Sequence, residues 1–155
     1  MAERIAIVSD HAAYELKEAL AQRLRDWNHE VLDLGTTSTD SVDYPDYGYR
    51  MALAIAEGEA ERGIALCGTG IGISIAVNRH PACRCALVTE PYSAALAREH
   101  NDANVLALGA RLIGFDMAIA CVQSFLVGHF ARGRHERRVE KLSHPPFAPA
   151  SKEPA

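Results

Sequence analysis

Gly63-Ile64-Ala65-Leu66-Cys67-Gly68-Thr69-Gly70-Ile71-Gly72-Ile73-Ser74 decides how this chain folds. A short apolar run ends in a cysteine, turns through alternating glycines and enters a helix-like segment. This is the junction of a buried strand with the helix that follows it, and related junctions recur in both directions. Upstream, Arg4 to Ser9 reads as a buried strand, followed by Asp10-His11 and a helix from about Ala12. Leu16, Leu20, Leu24 and Trp27 recur there at helical spacing. Glu30 to Leu34 is a second strand closed by Gly35, Thr36 to Tyr44 is polar and turn-like, and Pro45 opens a helix with Tyr47, Met51, Ala54 and Ile55 on one face. Downstream, the glycine turn predicts a helix ending near Arg79, where Pro81 prevents its continuation. Arg84 to Val88 is the fourth strand, Pro91 to His100 a helix, and Asn104 to Leu108 the fifth strand, closed by Gly109. A long helix with Phe115, Ile119, Val122, Leu126 and Phe130 on one side is expected to break at Gly133, before a short basic helix from Arg134 to Leu142.

Short apolar strands alternating with helices imply a parallel sheet covered on both faces. With right-handed crossovers this is a Rossmann-like, doubly wound α/β fold of five strands in three αβα layers. The 155 residues suit a single domain, expected over residues 1–144, with the proline-rich stretch 145–155 expected to be a disordered tail. A hydrophobic content of 48% and a charged content of 23% are ordinary for a globular protein. The net charge of −4 offers no general attraction to nucleic acid or anionic membranes. No apolar run approaches the roughly 20 residues needed to cross a bilayer. Met1-Ala2-Glu3-Arg4 leads directly into a strand without a secretory signal, so a cytoplasmic location is expected. Cys83, Cys85 and Cys121 lie in apolar runs and read as reduced core thiols, and no C-x-x-C pair or zinc-type spacing is present.

In doubly wound folds ligands bind at the carboxyl ends of the strands. Asp10, His11, Cys67 to Gly72, Thr89, Glu90 and Gly109 to Arg111 should gather there. The glycine turn is neither a Walker motif, lacking Lys-Ser or Lys-Thr, nor a dinucleotide fingerprint, which belongs after the first strand. It either merely permits a tight strand-to-helix turn or presents free backbone amides to an anion. Cys67 is a core residue or, before a helix start, a thiolate able to act as nucleophile or base. Asp10 reads as a helix N-cap or a pocket carboxylate, and His11 suits a phosphate or hydroxyl. His100-Asn101 closes a helix, where a histidine commonly serves the helix end. Arg134 and Arg138 share one helical face, either solvated or clamping a phosphate, and Arg111 is a third phosphate candidate.

Read together, these residues resemble the type B ribose-5-phosphate isomerase family, which also holds galactose-6-phosphate and allose-6-phosphate isomerases. The resemblance is carried by Ser9-Asp10-His11 with Leu16-Lys17, Asp43-Tyr44-Pro45, Cys67 to Ala76 with Asn78, Glu90-Pro91-Tyr92-Ser93-Ala94, His100-Asn101-Asp102-Ala103-Asn104-Val105-Leu106, and Gly133-Arg134-His135 with Arg138-Val139. It implies reversible isomerisation of an aldose phosphate to its ketose, without metal or organic cofactor. Cys67 matches the base at C2. Some members instead use a glutamate one turn into the following helix, where this chain has Ile73 and Ser74. His100 matches the histidine that assists ring opening, and Asp10 is expected to help it move the proton. Arg134, Arg138, His11 and Arg111 match phosphate-binding positions. Asp10, Tyr44, Thr69 and Asn101 match positions for sugar hydroxyls, and Gly68, Gly70, Gly72 and Ser74 belong to the substrate-lining turn. The family builds its pockets across a two-fold interface, so a homodimer with shared sites, or a tetramer, is implied, with no nucleic-acid or membrane partner. The chain departs at Ala13, where the family often has Gly, and at Arg79-His80. The stretch beyond His144 lies outside the match.

Ribose 5-phosphate is the expected substrate, and a six-carbon aldose 6-phosphate the alternative. Two other function classes fit a glycine turn beside a cysteine. A non-catalytic sugar-phosphate sensor would need neither a reactive thiol nor a ring-opening histidine. A thiol redox protein would need a resolving cysteine near Cys67, and none is close in sequence.

Overall fold

A computed structural model describes residues 2–147. Five parallel strands, β1 (Arg4–Ser9), β2 (Glu30–Asp33), β3 (Arg62–Cys67), β4 (Cys85–Leu87) and β5 (Val105–Gly109), form one sheet in the order β2-β1-β3-β5-β4. The helices are α1 (Tyr14–Asp26), α2 (Tyr44–Ala56), α3 (Ile71–Val77), α4 (Pro91–Asn101), α5 (Phe115–Val127) and α6 (Glu136–Ser143). Short 3-10 turns at His11–Ala13 and Gly133–His135 precede α1 and α6.

Period-two alternation sorts each strand's side chains onto two cores. Ile5, Ile7, Ile64, Leu66, Leu106 and Leu108 pack with Leu20 and Leu24 of α1, Ala94 of α4 and Phe125 of α5. Ala6, Val8, Ala65, Val105 and Ala107 pack on the other face with Met51 of α2 and with Ile73 and Val77 of α3. The small residues of that second face let α2 and α3 approach closely. The result is the expected three-layer fold. Because α1 leaves β1 on one face of the sheet and α3 leaves β3 on the other, a crevice opens beyond the carboxyl ends of these two strands.

The structure differs from the sequence expectations in detail. Helix α5 ends at Val127, because Gly128 turns extended (φ −71°, ψ 151°), and Phe130 therefore lies outside it. The departing chain instead runs along the end of α4, where the Ala131 amide donates to the Glu99 carbonyl at 2.9 Å. The buried face of α5 is Ala118, Cys121, Val122 and Phe125, rotated from the predicted stripe, and Phe115 is exposed. Strand β4 is shorter than predicted, and its outer edge is closed by a side chain. Asn78 donates to the Cys85 carbonyl at 2.9 Å and accepts the Cys85 amide at 2.8 Å. The stretch expected to be a tail begins at Pro145, and residues 148–155 lie outside those described.

Lys17 is almost fully buried and reaches Asp33 at 2.7 Å and Glu18 at 2.8 Å. Burial alone would drive its ammonium toward neutrality, but the hydrogen bonds and charges of Asp33 and Glu18 prevail and raise its pKa. Asp33 also accepts the Gly35 amide at 2.9 Å. The Gly35 carbonyl in turn accepts the Ser9 amide at 2.7 Å, and Thr36 donates back to the Ser9 carbonyl at 2.9 Å. The buried Lys17 ammonium, paired with the partly exposed Asp33, thus braces the loop beside the end of β1.

Candidate active site

At the end of β1, Asp10 is buried, and its carboxylate caps the following turn by accepting the Ala12 amide at 3.0 Å. Its own amide donates to the Leu66 carbonyl at 3.2 Å, which ties it to β3. Nδ1 of His11 accepts the Val42 amide at 3.1 Å. The neutral ring therefore carries its proton on Nε2, which becomes a donor.

At the end of β3, Cys67 is 4% exposed, and its Sγ accepts the Gly70 amide at 3.1 Å. Gly70 sits at φ +76°, and a Cβ there would come within 2.6 Å of Leu87 and 2.9 Å of the Leu108 backbone. Only glycine gives this turn both its left-handed backbone and its contact with β5. The Ile71 amide is taken by Thr69 Oγ1 at 3.2 Å. Two amides expected to be free are therefore engaged within the turn, one of them on the sulfur itself. Ser74 turns its hydroxyl inward, donating to the Ile71 carbonyl at 2.7 Å. Tyr44, at the start of α2, lays its ring against Gly72, so closely that a Cβ would lie 2.6 Å from it. Arg111, after β5, passes over Gly68, where a Cβ would lie 3.3 Å from the arginine Cδ, and its amide donates to the Gly68 carbonyl at 2.9 Å. Asp10, Cys67 and the Gly68 to Gly72 turn thus gather at the carboxyl edge, flanked by His11, Tyr44 and Arg111.

The other cysteines occupy different surroundings. Burial pushes Cys83 up to about 11 and Cys121 up to about 11, and pushes Cys85 higher still. The Cys83 thiol packs 3.6 Å from the Ala52 carbonyl. Cys83 and Cys121 are buried core thiols, Cys85 is half-buried on the edge strand, and burial holds all three in the thiol form at neutral pH.

A second cluster forms elsewhere. Helix α4 starts beyond the carboxyl edge, with Glu90 capping the amides of Tyr92 and Ser93. It runs back against the strands to end at the amino edge. There the Asn104 carbonyl accepts the amide of Gly63, and Gly63 pairs with Val105. Cys67 pairs with Gly109 at the opposite end, about 13 Å further along at a strand's rise per residue. His100 and Asn101 therefore lie away from the Cys67 crevice of the same chain. His100 stacks on His135, with ring centroids 4.5 Å apart and planes inclined by 15°. Arg134 and Arg138 are exposed on the segment that carries His135.

Four residues given no role in the sequence reading, Arg84, Arg98, Asp102 and Asn104, hold this second cluster in place. Arg98 donates to Asp102 at 2.9 Å and to the Ala103 carbonyl at 2.6 Å. Arg84 donates to the Asp102 carbonyl at 2.9 Å. Asp102 adopts the left-handed conformation that ends α4 (φ 46°). Asn104 accepts the Arg84 amide at 2.8 Å and donates to the Ala82 carbonyl at 2.8 Å. The spacing of Asp102 and Asn104 after His100 was the one available signal for this support. Between the clusters, Ile71 and Ile75 of α3 and Leu87 of β4 are exposed.

Among the described residues no group of three or more His, Cys, Asp or Glu side chains is arranged to hold a metal ion. No described helix is long and apolar enough to cross a membrane.

The family model described as Ribose/Galactose Isomerase matches residues 5–142. The chain is 44% identical over 141 residues to ribose-5-phosphate isomerase B of Escherichia coli K12, covering 91% of this chain and 95% of that protein. It superposes with a TM-score of 0.89 on a ribose 5-phosphate isomerase from Thermotoga maritima, at 51% identity, covering 91% of this chain and 97% of that one. A ribose-5-phosphate isomerase B from Clostridium thermocellum gives a TM-score of 0.89 at 49% identity, covering 90% and 95% of the two chains. A match over nearly the whole folded region, in sequence and in structure, places this chain in the ribose/galactose isomerase family.

Proposed function

We propose that this chain interconverts D-ribose 5-phosphate and D-ribulose 5-phosphate, with Cys67 as general base. The observation that carries this reading is a single amide-held sulfur at the β1–β3 crevice, beside Asp10 and the glycine turn. Relatives named ribose-5-phosphate isomerase B supply the substrate class.

The sugar arrives mainly as a closed ring. Its anomeric hydroxyl gives up a proton to His100, the C1–O bond to the ring oxygen breaks, and the proton returns to that oxygen, leaving an open aldehyde. The Cys67 thiolate then takes the proton from C2, and the electron pair forms the C1–C2 double bond as the carbonyl oxygen becomes an oxyanion. The Cys67 thiol returns its proton to C1, and the proton of the C2 hydroxyl passes to the O1 oxyanion, which leaves the C2 carbonyl of the ketose. Outward amides of the glycine turn meet the oxyanion. In comparable sites, removing one such donor costs roughly 2.7–4 kcal/mol. Asp10, Tyr44, Thr69 and Asn101 hold hydroxyls. His11, Arg111, Arg134 and Arg138 hold the phosphate, fixing C1 and C2 over the sulfur.

One chain keeps Cys67 and His100 on opposite edges of the sheet, so a complete site needs two chains. A homodimer in which the carboxyl edge of one copy faces the amino edge of its partner supplies both. The exposed Ile71, Ile75 and Leu87 beside the crevice suit such a contact.

Incubation of ribulose 5-phosphate in deuterated water tests the base. The wild-type chain should incorporate deuterium at C1, and Cys67→Ala should lose about a thousandfold in exchange and turnover, within the range for a positioned base. Near-normal turnover in that variant contradicts the assignment. Parallel assays with allose 6-phosphate and galactose 6-phosphate separate the five-carbon from the six-carbon substrate.

A further inference from the structure

The geometry points to His135 as a positioning residue for ring opening: it is a neutral stacking platform that holds His100 in place and steadies its imidazolium while the sugar proton passes through it. The inference rests on the proposed role of His100 and extends it to a side chain with no assigned part.

The two rings lie nearly parallel, at 4.5 Å between centroids and 15° between planes. A stack of this kind fixes the plane of an imidazole and, when one ring becomes charged, places a π-face against the cation. His135 is well placed to remain the neutral member. Partial burial, then His100, Arg134 and Arg138, lower its pKa, and Glu99 opposes them only in part. The stack thus sets a neutral π-face directly against the ring that takes the sugar proton, His100. The backbone also limits His135 to this role. Ala131 is tied to Glu99 of α4, so the chain reaches His135 already pressed against the last turn that carries His100. Arg134 and Arg138, on the same segment, are exposed and remain available to a phosphate.

During ring opening, neutral His100 accepts the anomeric proton and returns it to the ring oxygen as the C1–O bond breaks, so the protein gains and loses nothing overall. Only this step needs imidazolium. Ribulose 5-phosphate, with its carbonyl at C2 and its C5 oxygen esterified, cannot close a five-membered ring, so exchange of its C1 proton bypasses His100.

The experiment compares full-length wild-type, His135→Ala and His135→Phe chains in two assays: isomerisation of ribose 5-phosphate, and deuterium exchange into ribulose 5-phosphate. His135→Ala should lower kcat from ribose 5-phosphate about tenfold with KM within about twofold, the scale of a lost ring–cation contact. His135→Phe, which keeps the platform, should recover most of that loss. Exchange into ribulose 5-phosphate should stay within about twofold of wild type in both variants. A parallel fall of exchange and isomerisation overturns the role, since it would mark a general structural defect. Unchanged turnover in His135→Ala, or equal loss in His135→Phe, overturns it as well. Absence of exchange in the wild-type chain would instead remove the proposed function, and this role with it.

Discussion

The two edges of the sheet carry different halves of the proposed chemistry and are built differently. At the carboxyl edge, Asp10 and Cys67 are set by the ends of two adjacent, fully buried strands, and Gly70 and Gly72 admit no other side chain without a clash. At the amino edge, His100 rides on the last turn of a helix, held by Asp102, Arg84 and Arg98, and faces the exposed His135 segment. The first half is rigid because packing over-determines it. The second is assembled from polar contacts on the rim, where the chain after α5 could be repositioned by a neighbouring molecule. The contrast teaches that a base needs fixed geometry, whereas groups that bind phosphate and shuttle protons tolerate delivery from another chain.

The comparison is broken most severely at Gly70. Gly70→Ala should cut turnover at least a hundredfold, because a left-handed backbone and two close contacts cannot accept a Cβ and the amide moves off Cys67. The His100 and His135 ring resonances should remain unchanged, which would show that the two halves are independent. A shift of those resonances would show coupling between them. A smaller effect is expected beneath the carboxyl edge. Lys17→Met leaves Asp33 without its buried cation and should cost about 2 kcal/mol in urea unfolding, less than a fully buried pair because Asp33 is partly exposed. An equally stable variant would mean that the Asp33–Gly35 brace holds without Lys17.

Much of the rigid half was legible in the sequence. Apolar runs ending in Asp10 and Cys67 placed both residues at strand ends, and alternating glycines marked the turn. Strands β1, β3 and β5 are read nearly residue for residue because both their faces are buried. Strand β4 misled because it is an edge, closed by the Asn78 side chain rather than by a neighbouring strand. Phe130 continues the apolar period of α5, yet Gly128 leaves the helix two residues earlier to follow α4, a tertiary choice that periodicity does not encode. The separation of His100 from Cys67 was hidden for a related reason. Motif order says which residues matter, and only strand order and helix direction say on which edge each one lands.

Complementation between inactive chains tests the division of the site most directly. Cys67→Ala and His100→Ala homodimers are each predicted to be nearly inactive. Unfolding and refolding them together in equal amounts should restore about a quarter of wild-type activity, because half the dimers are mixed and each mixed dimer holds one intact site of two. No recovery, with mixed dimers demonstrated by mass, would contradict a site shared between two chains.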